Sequence, residues 1–313
     1  MPTQQTFCTR LAGPKRMYAI AIYNNKGGVG KSTLTVFMAD FLATLAVRGR
    51  PLKVVVLDLD PQGSSSAALL GRNGLHAART SGHTLGNLAE KLERGRPIAW
   101  EQFLFQRPNN PGTGRARAIV PVDVMVTDRE QTFAFETNPL HRLTTLRERL
   151  RPELARRYDL ALLDLPGNID PRHLLAVNGL IFSDAVLTPV EVSRFSIDAM
   201  PATLDMIAYA RTQGDGVRPV FLGMVLNRVD KRGQQYQRNI APMQELSSNL
   251  EIPLFEQILP HAQALTTATD QDLAPGISLR ERYGGYYPHV KAVVGETLRR
   301  WHALEPQPAG APG

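Results

Sequence analysis

A glycine-rich stretch between two apolar segments constrains the fold of this chain more than any other feature. The stretch is YNNKGGVGKST (23–33), and it follows the apolar run MYAIAIY (17–23), which predicts a buried strand. Residues 32–48, STLTVFMADFLATLAVR, come next and carry apolar residues at helical spacing. Glycines between a strand and a helix let backbone N–H groups approach a phosphate, and the helix start adds partial positive charge. The sequence therefore predicts a phosphate-binding loop.

The residues that end the loop extend this prediction to a nucleotide with Mg²⁺. Lys31 stands where the lysine of such a loop reaches the β- and γ-phosphates, and Ser32 is placed to ligate the metal. The general pattern G-x-x-x-x-G-K-[ST] would begin at position 25, where this chain has Asn25, and a second lysine, Lys26, follows. We predict nucleotide contacts along the whole loop, at Gly27, Gly28, Val29, Gly30, Lys31, Ser32 and Thr33.

Short apolar runs alternate with helical patterns along most of the chain. Further strands are predicted at LKVVVLDL (52–59), YDLALLDL (158–165), DAVLTPV (184–190), PVFLGMVLN (219–227) and LFEQILP (254–260). Further helices are predicted at 141–157, 171–181, 196–212, 234–249 and 286–303. This alternation favours an α/β fold with a doubly wound, mostly parallel sheet and helices on both faces. We expect one domain over 17–303, an N-terminal extension at 1–16 and a disordered tail at 304–313.

Residues 72–135 interrupt this rhythm and form a variable segment. Within it, TLGNLAEKLERG (84–95) predicts a helix and IVPVDVMVT (119–127) predicts a strand. Between them, QRPNNPGTGRAR (106–117) is rich in Pro, Gly, Asn and Arg, which is typical of an exposed loop. Its arginines fit either a solvated surface or a contact to an acidic partner.

Composition excludes several classes of protein. The chain has 36 Lys and Arg against 29 Asp and Glu, a net charge of +7, which is compatible with a polyanionic partner such as nucleic acid. A single cysteine, Cys8, can build neither a disulfide framework nor a thiolate-ligated iron–sulfur cluster. No secretion signal and no run of about 18 apolar residues is present. We therefore expect a cytoplasmic protein that does not span a membrane.

Carboxylates follow two of the predicted strands. Asp58 and Asp60 end the second strand, and Asp164 ends the run YDLALLD. Carboxyl ends of strands face the ligand crevice of an α/β sheet, so these side chains are expected near the glycine loop. An apolar run that ends in an acid is typical of the carboxylate that holds Mg²⁺, which we assign to Asp164. Asp58 either supports the metal shell or caps the strand end.

The second lysine gives the loop the form K-G-G-x-G-K-[ST], which resembles the deviant Walker A motif of the ParA/MinD family of ATPases. The resemblance covers roughly residues 17–303 and is weakest over 72–135. It implies ATP and Mg²⁺ as cofactors, and a Lys26 that crosses to the nucleotide of a second subunit in a face-to-face dimer. DLDPQG (58–63) resembles the family's second motif, in which the acid before the proline, here Asp60, activates the attacking water. LGMVLNRVD (222–230) implies that Asn227 reads the adenine edge.

The same resemblance implies a cellular role. We expect a ParA-like ATPase that dimerises on ATP, binds DNA without sequence preference and drives plasmid or chromosome partition when a ParB-like partner stimulates hydrolysis. The alternative is a MinD-like, cargo-positioning or conjugation-associated ATPase, although the proline-broken end LRRWHALEPQPAGAPG makes a poor membrane helix. About 16 residues of this sequence precede the first strand, so we do not expect an operator-binding helix-turn-helix domain. Candidate DNA contacts are Arg211, Arg218, Lys231, Arg232, Arg238, Arg280 and Arg282.

Overall fold

The sheet predicted from the apolar runs forms the centre of the molecule. The structure, a computed structural model, describes residues 17–47, 50–108, 122–138, 141–167, 170–263, 265 and 277–304. The N-terminal extension, most of the arginine-rich loop and residues 305–313 of the predicted tail lie outside the described residues. The strands are β1 (Tyr18–Ile22), β2 (Ala46–Val47), β3 (Arg50–Pro51), β4 (Val54–Asp58), β5 (Phe105–Gln106), β6 (Asp123–Met125), β7 (Leu160–Asp164), β8 (Ala185–Val190) and β9 (Val220–Leu226).

Seven of these strands form one sheet in the order β5-β6-β4-β7-β1-β8-β9. All neighbours pair in parallel except β5, which runs antiparallel to β6 at the edge. β2 and β3 form a separate antiparallel pair. The predicted fold class, a doubly wound and mostly parallel α/β sheet, is confirmed.

Helices connect the strands and cover both faces of the sheet. They are α1 (Lys31–Leu42), α2 (Ser64–Thr80), α3 (Leu85–Glu93), α4 (Arg129–Glu136), α5 (Arg151–Ala155, continuing a π-helical turn at Leu146–Leu150), α6 (Leu174–Phe182), α7 (Arg194–Gln213), α8 (Gln234–Asn249), α9 (Leu279–Tyr283) and α10 (Tyr287–Leu304). Short 3₁₀ turns lie at Trp100–Phe103 and Gly284–Tyr286.

Alternate side chains of β1 supply the two faces of the core. Tyr18, Ile20 and Ile22 pack in the cluster that contains α1 and α10, while Ala19 and Ala21 pack in the cluster that contains α6 and α7. Both faces of the strand are therefore buried, which explains why parallel strands read as continuous apolar runs. The central position of β1 places the loop that follows it between the ends of β7 and β8.

The prediction of a strand at 254–260 is wrong. This segment runs beside β9 but makes only isolated bridges, Met224 to Leu254 and Val229 to Pro260. The amides of Glu256 and Gln257 donate instead to the Glu296 carboxylate of α10, at 3.1 and 2.9 Å. These side-chain contacts, together with the missing N–H of Pro260, interrupt the ladder.

Candidate nucleotide-binding site

The glycine loop has the geometry of an anion cradle. Gly28 and Gly30 have φ of 75° and 91°, a left-handed conformation that side chains rarely adopt. Helix α1 starts at Lys31 with Gly30 as its N-cap, and no side chain caps its first N–H groups. Those N–H groups and the helix dipole remain available to a phosphate.

Lys31 is held inside this cradle. Its side chain is buried, and Nζ donates a hydrogen bond of 2.9 Å to the carbonyl of Lys26. Burial lowers the pKa of Lys31, while the nearby charges of Asp164 and Asp60 act in the opposite direction. The ammonium group is therefore positioned between the loop and the carboxylates before any ligand contact is considered.

Strand register brings the two strand-end carboxylates together. Asp58 of β4 lies directly opposite Asp164 of β7, and Asp164 lies opposite Ile22, the last residue of β1. Both carboxylates are fully buried. Burial raises the pKa of Asp164 to about 8, with a further contribution from the charge of Asp58. The hydroxyls of Ser32 and Ser65 lie near Asp164 and act in the opposite direction.

The two carboxylates differ in their hydrogen bonds. Asp58 accepts bonds from the Ser66 amide and hydroxyl at 2.8 and 2.6 Å, and from the Asp60 amide at 3.2 Å. This favours the capping interpretation of Asp58 over a place in the metal shell. Within the described ranges, neither oxygen of Asp164 accepts a hydrogen bond of normal geometry, although both are buried.

An unpartnered buried carboxylate beside Ser32 fits a divalent cation. Carboxylate and hydroxyl oxygens suit Mg²⁺, which binds proteins through one or two side chains and completes its shell with phosphate and water. Within the described residues, no three acidic, His or Cys side chains converge as a self-sufficient metal cage. Asp164 and Ser32 would thus hold the ion together with a phosphate, and the ion would neutralise charge on that phosphate.

We expect the free energy of unfolding, measured without nucleotide or divalent cation, to fall as the pH rises from about 4 to about 8. The pKa of Asp164 rises from 3.8 to about 8 on folding, so the folded chain retains a proton that the unfolded chain loses. That stabilisation is complete below pH 4 and is lost as the pH passes 8. The side chain of the Asp164→Asn variant cannot ionise. The free energy of unfolding of this variant should therefore fall with rising pH by on the order of a few kcal/mol less than that of the parent. Urea unfolding of both proteins in EDTA at pH 5 and 8 measures this, and parallel declines would contradict it.

Asp60 lies on the loop between β4 and α2, partly buried. One carboxylate oxygen accepts the amide of Gln62 at 2.9 Å, and the Asp60 carbonyl accepts the amide of Gly63 at 2.8 Å. This tight turn places the Asp60 carboxylate near Lys31. The charge of Asp60 acts to raise the pKa of Lys31, against the larger effect of burial. Its assigned role toward water remains a prediction.

Lys26 does not point into the cradle of its own chain. Its Nζ lies 3.5 Å from the Ser196 hydroxyl, 3.9 Å from the Glu191 carboxylate and 5.9 Å from the centre of the Phe195 ring. Phe195 is 77% exposed, so this lysine lies beside an exposed aromatic ring at the mouth of the site. Sequence reasoning did not assign Glu191 or Phe195.

Asn227 and its neighbour Arg228 brace the glycine loop. Asn227 Nδ2 donates to the Val29 carbonyl at 2.8 Å, and any side chain at Gly30 would collide with that amide. Arg228 donates to the Gly28 carbonyl at 2.8 Å and pairs with Glu191 at 3.1 Å. Arg228 has φ of 53°, which no sequence pattern signals, so sequence reasoning missed it. The adenine contact of Asn227 remains a prediction.

Gly167 touches the loop from the β7 side. A side chain at Gly167 would lie 3.1 Å from the Gly27 amide nitrogen and 3.2 Å from Lys31 Nζ. The position thus contacts the phosphate cradle directly.

The candidate DNA contacts do not share one surface. Arg282 was proposed as a contact, but its side chain is 2% exposed and pairs with buried Asp40 at 2.7 Å, so this assignment is corrected. Arg218 pairs with Asp184, and Arg211 donates to the Pro219 carbonyl. Both precede β9, whereas Lys231 and Arg232 follow it, roughly 20 Å away along a seven-residue strand.

The exposed members of the set are fewer. They are Lys231, Arg232, Arg238 and Arg280. Arg280 lies over the Tyr287 ring, while Lys231, Arg232 and Arg238 follow β9 at the edge of the sheet that carries the glycine loop. In the part of the chain that the structure describes, no helix combines the length and apolar character of a membrane span.

Comparisons with known proteins agree with this site. A family model described as an AAA domain matches residues 17–215. The chromosome-partitioning ATPase Soj of Thermus thermophilus is 31% identical over 214 residues, 68% of this chain and 70% of that protein. An ATP complex of Cyanothece McdA shares the fold with a TM-score of 0.68 at 19% identity, covering 92% of this chain and 97% of that one. A structure of pNOB8 ParA bound to nonspecific DNA also shares the fold, with a TM-score of 0.63 at 18% identity, covering 92% of this chain and 100% of that one. This chain belongs to the ParA/MinD family of P-loop ATPases.

Proposed function

We propose that this chain hydrolyses ATP with Mg²⁺, forms a homodimer when ATP is bound, and in that state binds DNA without sequence preference. A ParB-like partner would stimulate hydrolysis and release the DNA, which would move a plasmid or chromosome. The observation that carries the proposal is the buried Asp164 carboxylate, unpartnered beside the uncapped start of α1. The carboxylate and the helix start can together hold a metal and a phosphate, with the Lys31 ammonium group beside them.

The location of Lys26 supports the dimer. A lysine dedicated to its own nucleotide would point into the cradle, as Lys31 does. Lys26 instead lies at the mouth of the site beside exposed Phe195, where a facing protomer could receive it. An added ammonium group on the phosphates of that protomer would stabilise the charge that develops in phosphoryl transfer.

The relatives support the DNA step. Soj of Thermus thermophilus is named a chromosome-partitioning ATPase, and the pNOB8 ParA structure holds nonspecific DNA. In this chain, Lys231, Arg232 and Arg238 offer three exposed positive charges close together in the chain. Contacts of this kind to phosphates read no sequence.

We expect DNA binding only with ATP and with a steep loss of affinity as salt rises. Replacing Lys231, Arg232 and Arg238 together with alanine should lower the slope of log K against log salt by about 2 to 3 for each protomer that contacts the DNA, since each lost phosphate contact removes about 0.9. A charge-matched control replaces exposed Arg72, Arg94 and Arg129. Fluorescence anisotropy on two unrelated duplexes, with ATP, ADP or no nucleotide, measures the effect.

Several outcomes would contradict the proposal. DNA binding that does not depend on the nucleotide would contradict the proposed ATP-dependent step. Affinities that differ strongly between the two duplexes would contradict binding without sequence preference. Equal reductions of the salt slope in the triple variant and in its charge-matched control would contradict the assignment of Lys231, Arg232 and Arg238 as DNA contacts. ATP-dependent binding to anionic vesicles in place of DNA would favour the MinD-like alternative.

A further inference from the structure

The turn that carries Asp60 is held by hydrogen bonds from a residue outside the glycine loop, the segment 58–63 and the strand that ends in Asp164. We propose that Arg79 is a positioning residue for Asp60, which holds the Asp60–Gly63 turn in place through the carbonyl of Pro61. The inference rests on the proposed ATP hydrolysis and adds a residue to it. Arg79 belongs to the variable segment 72–135, where the family resemblance is weakest.

Two hydrogen bonds define the contact. Arg79 Nη2 donates to the Pro61 carbonyl at 2.8 Å, and Arg79 Nε donates to the Thr127 carbonyl at 3.0 Å. Pro61 immediately follows Asp60, so the guanidinium group fixes the peptide next to the assigned catalytic acid. Hydrogen bonds from a charged donor are stronger than those between neutral groups.

The second carbonyl ties the guanidinium group back to the sheet. Thr127 is fully buried, and its hydroxyl donates to the Asp58 carbonyl at the end of β4. Arg79 thus links the Asp60 turn to Thr127. Thr127 is in turn hydrogen-bonded to the end of β4, the strand that leads into the turn. These hydrogen bonds close a ring of contacts around residues 58–61.

Helix α2 is built in a way that permits this reach. A straight helix would place Arg79 about 22 Å from Ser64, at 1.5 Å per residue. Gly71 has φ of 75° and ψ of 161°, which breaks the helix into two parts. The second part folds back, and this returns Arg79 to the loop from which the first part begins.

Gly63 shows that the guanidinium group lies directly against the turn. Gly63 has φ of 73°, and a side chain there would lie 2.5 Å from Arg79 Nη2. The turn and the arginine therefore fit each other closely, without space for another side chain. Loss of Arg79 would leave the Pro61 carbonyl without this donor and the turn without its support.

The test compares Arg79→Ala with Arg72→Ala, which removes an exposed arginine from the same helix. With the protein in excess over MgATP and at concentrations that bind all of the nucleotide, we expect Arg79→Ala to lower the single-turnover hydrolysis rate about tenfold or more, since misplacement of a reacting group by about 1 Å can reduce rates up to a hundredfold. Affinity for a fluorescent ATP analogue should stay within about twofold. Arg79→Lys, which can reach only one of the two carbonyls, should recover part of the rate.

Two further measurements separate positioning from general stability. In an Asp60→Ala background, Arg79→Ala should cause no further loss of the residual rate, because the two residues act in one unit. Hydrogen exchange at the amides of Gln62 and Gly63 should speed up about tenfold in Arg79→Ala, with β4 unchanged. If Arg79→Ala does not fold, Arg79→Lys carries the same comparisons.

Specific results would overturn the inference. They are a parent-like rate in Arg79→Ala, an equal loss in the Asp60→Ala background, or unchanged exchange at the amides of Gln62 and Gly63. If the unaltered chain does not hydrolyse ATP at all, the proposed function fails, and the exchange measurement alone then judges whether Arg79 holds the turn.

Discussion

Replacing Lys31 with alanine is expected to lower the affinity for MgATP by on the order of a hundredfold or more. The ammonium group is buried in the cradle and lies near the carboxylates of Asp164 and Asp60. Without it, those negative charges would repel the phosphates, and the N–H groups of α1 alone could not offset them. Isothermal titration with MgATP measures the loss.

Fold integrity needs its own control, because Lys31 also donates to the Lys26 carbonyl. Lys31→Met retains most of the buried stem and should lose affinity to the same extent without a lower melting temperature. Lys53→Ala, at an exposed position, should bind as the parent does. Affinity within twofold of the parent in Lys31→Met would refute the phosphate role of this lysine.

Replacing Lys26 with alanine is expected to leave ATP affinity nearly unchanged but to remove the ATP-dependent dimer and to slow hydrolysis at least about a hundredfold. Charged groups supplied across an interface to a transferring phosphoryl group contribute factors of about 10³ to 10⁵. The side-chain contacts of Lys26 within its own chain, at 3.5 Å or longer and partly exposed, are too weak to matter for folding, and its backbone hydrogen bonds remain in the alanine variant. Light scattering with a non-hydrolysable triphosphate measures the dimer.

A mixing experiment tests whether Lys26 acts in trans. An equimolar mixture of Lys26→Ala and Asp60→Ala can form mixed dimers in which one site has both Asp60 and a Lys26 from the facing protomer. Activity above the sum of the separate variants is expected. If activity does not recover at concentrations where mixed dimers form, Lys26 acts within its own protomer. The proposed ATP-dependent dimer would then lose the contact on which it depends.

Local patterns were sufficient for much of the fold. The runs at 17–23, 52–59, 158–165, 184–190 and 219–227 became β1, β4, β7, β8 and β9, because strands buried on both faces must be apolar at every position. The helix α2 was not predicted, since its serines, alanines and glycines give little periodicity and Gly71 breaks it. The antiparallel edge strand β5 is two residues long, which is too short to leave a pattern.

The candidate site divides in the same way. The sequence by itself determined the phosphate cradle, because contiguous glycines, Lys31 and the start of α1 need only local geometry to meet a phosphate. It also identified Asp58 and Asp164 as candidates, because each ends an apolar run. It assigned the metal to Asp164 but left Asp58 open between the metal shell and a strand-end cap, since the hydrogen bonds that distinguish these two roles cannot be read along the chain.

Tertiary structure decided what depends on partners distant in the chain. Asp58 bonds to Ser66, whereas buried Asp164 accepts no hydrogen bond of normal geometry from the described residues, and the packing of β4, β7 and α2 creates that difference. Arg282 looked like a surface charge until Asp40, 242 residues earlier, was seen to pair with it in the core. Arg79 reaches the Asp60 turn only because α2 folds back. Hydrogen bonding and burial are properties of three-dimensional neighbours, which residue spacing along one chain does not encode.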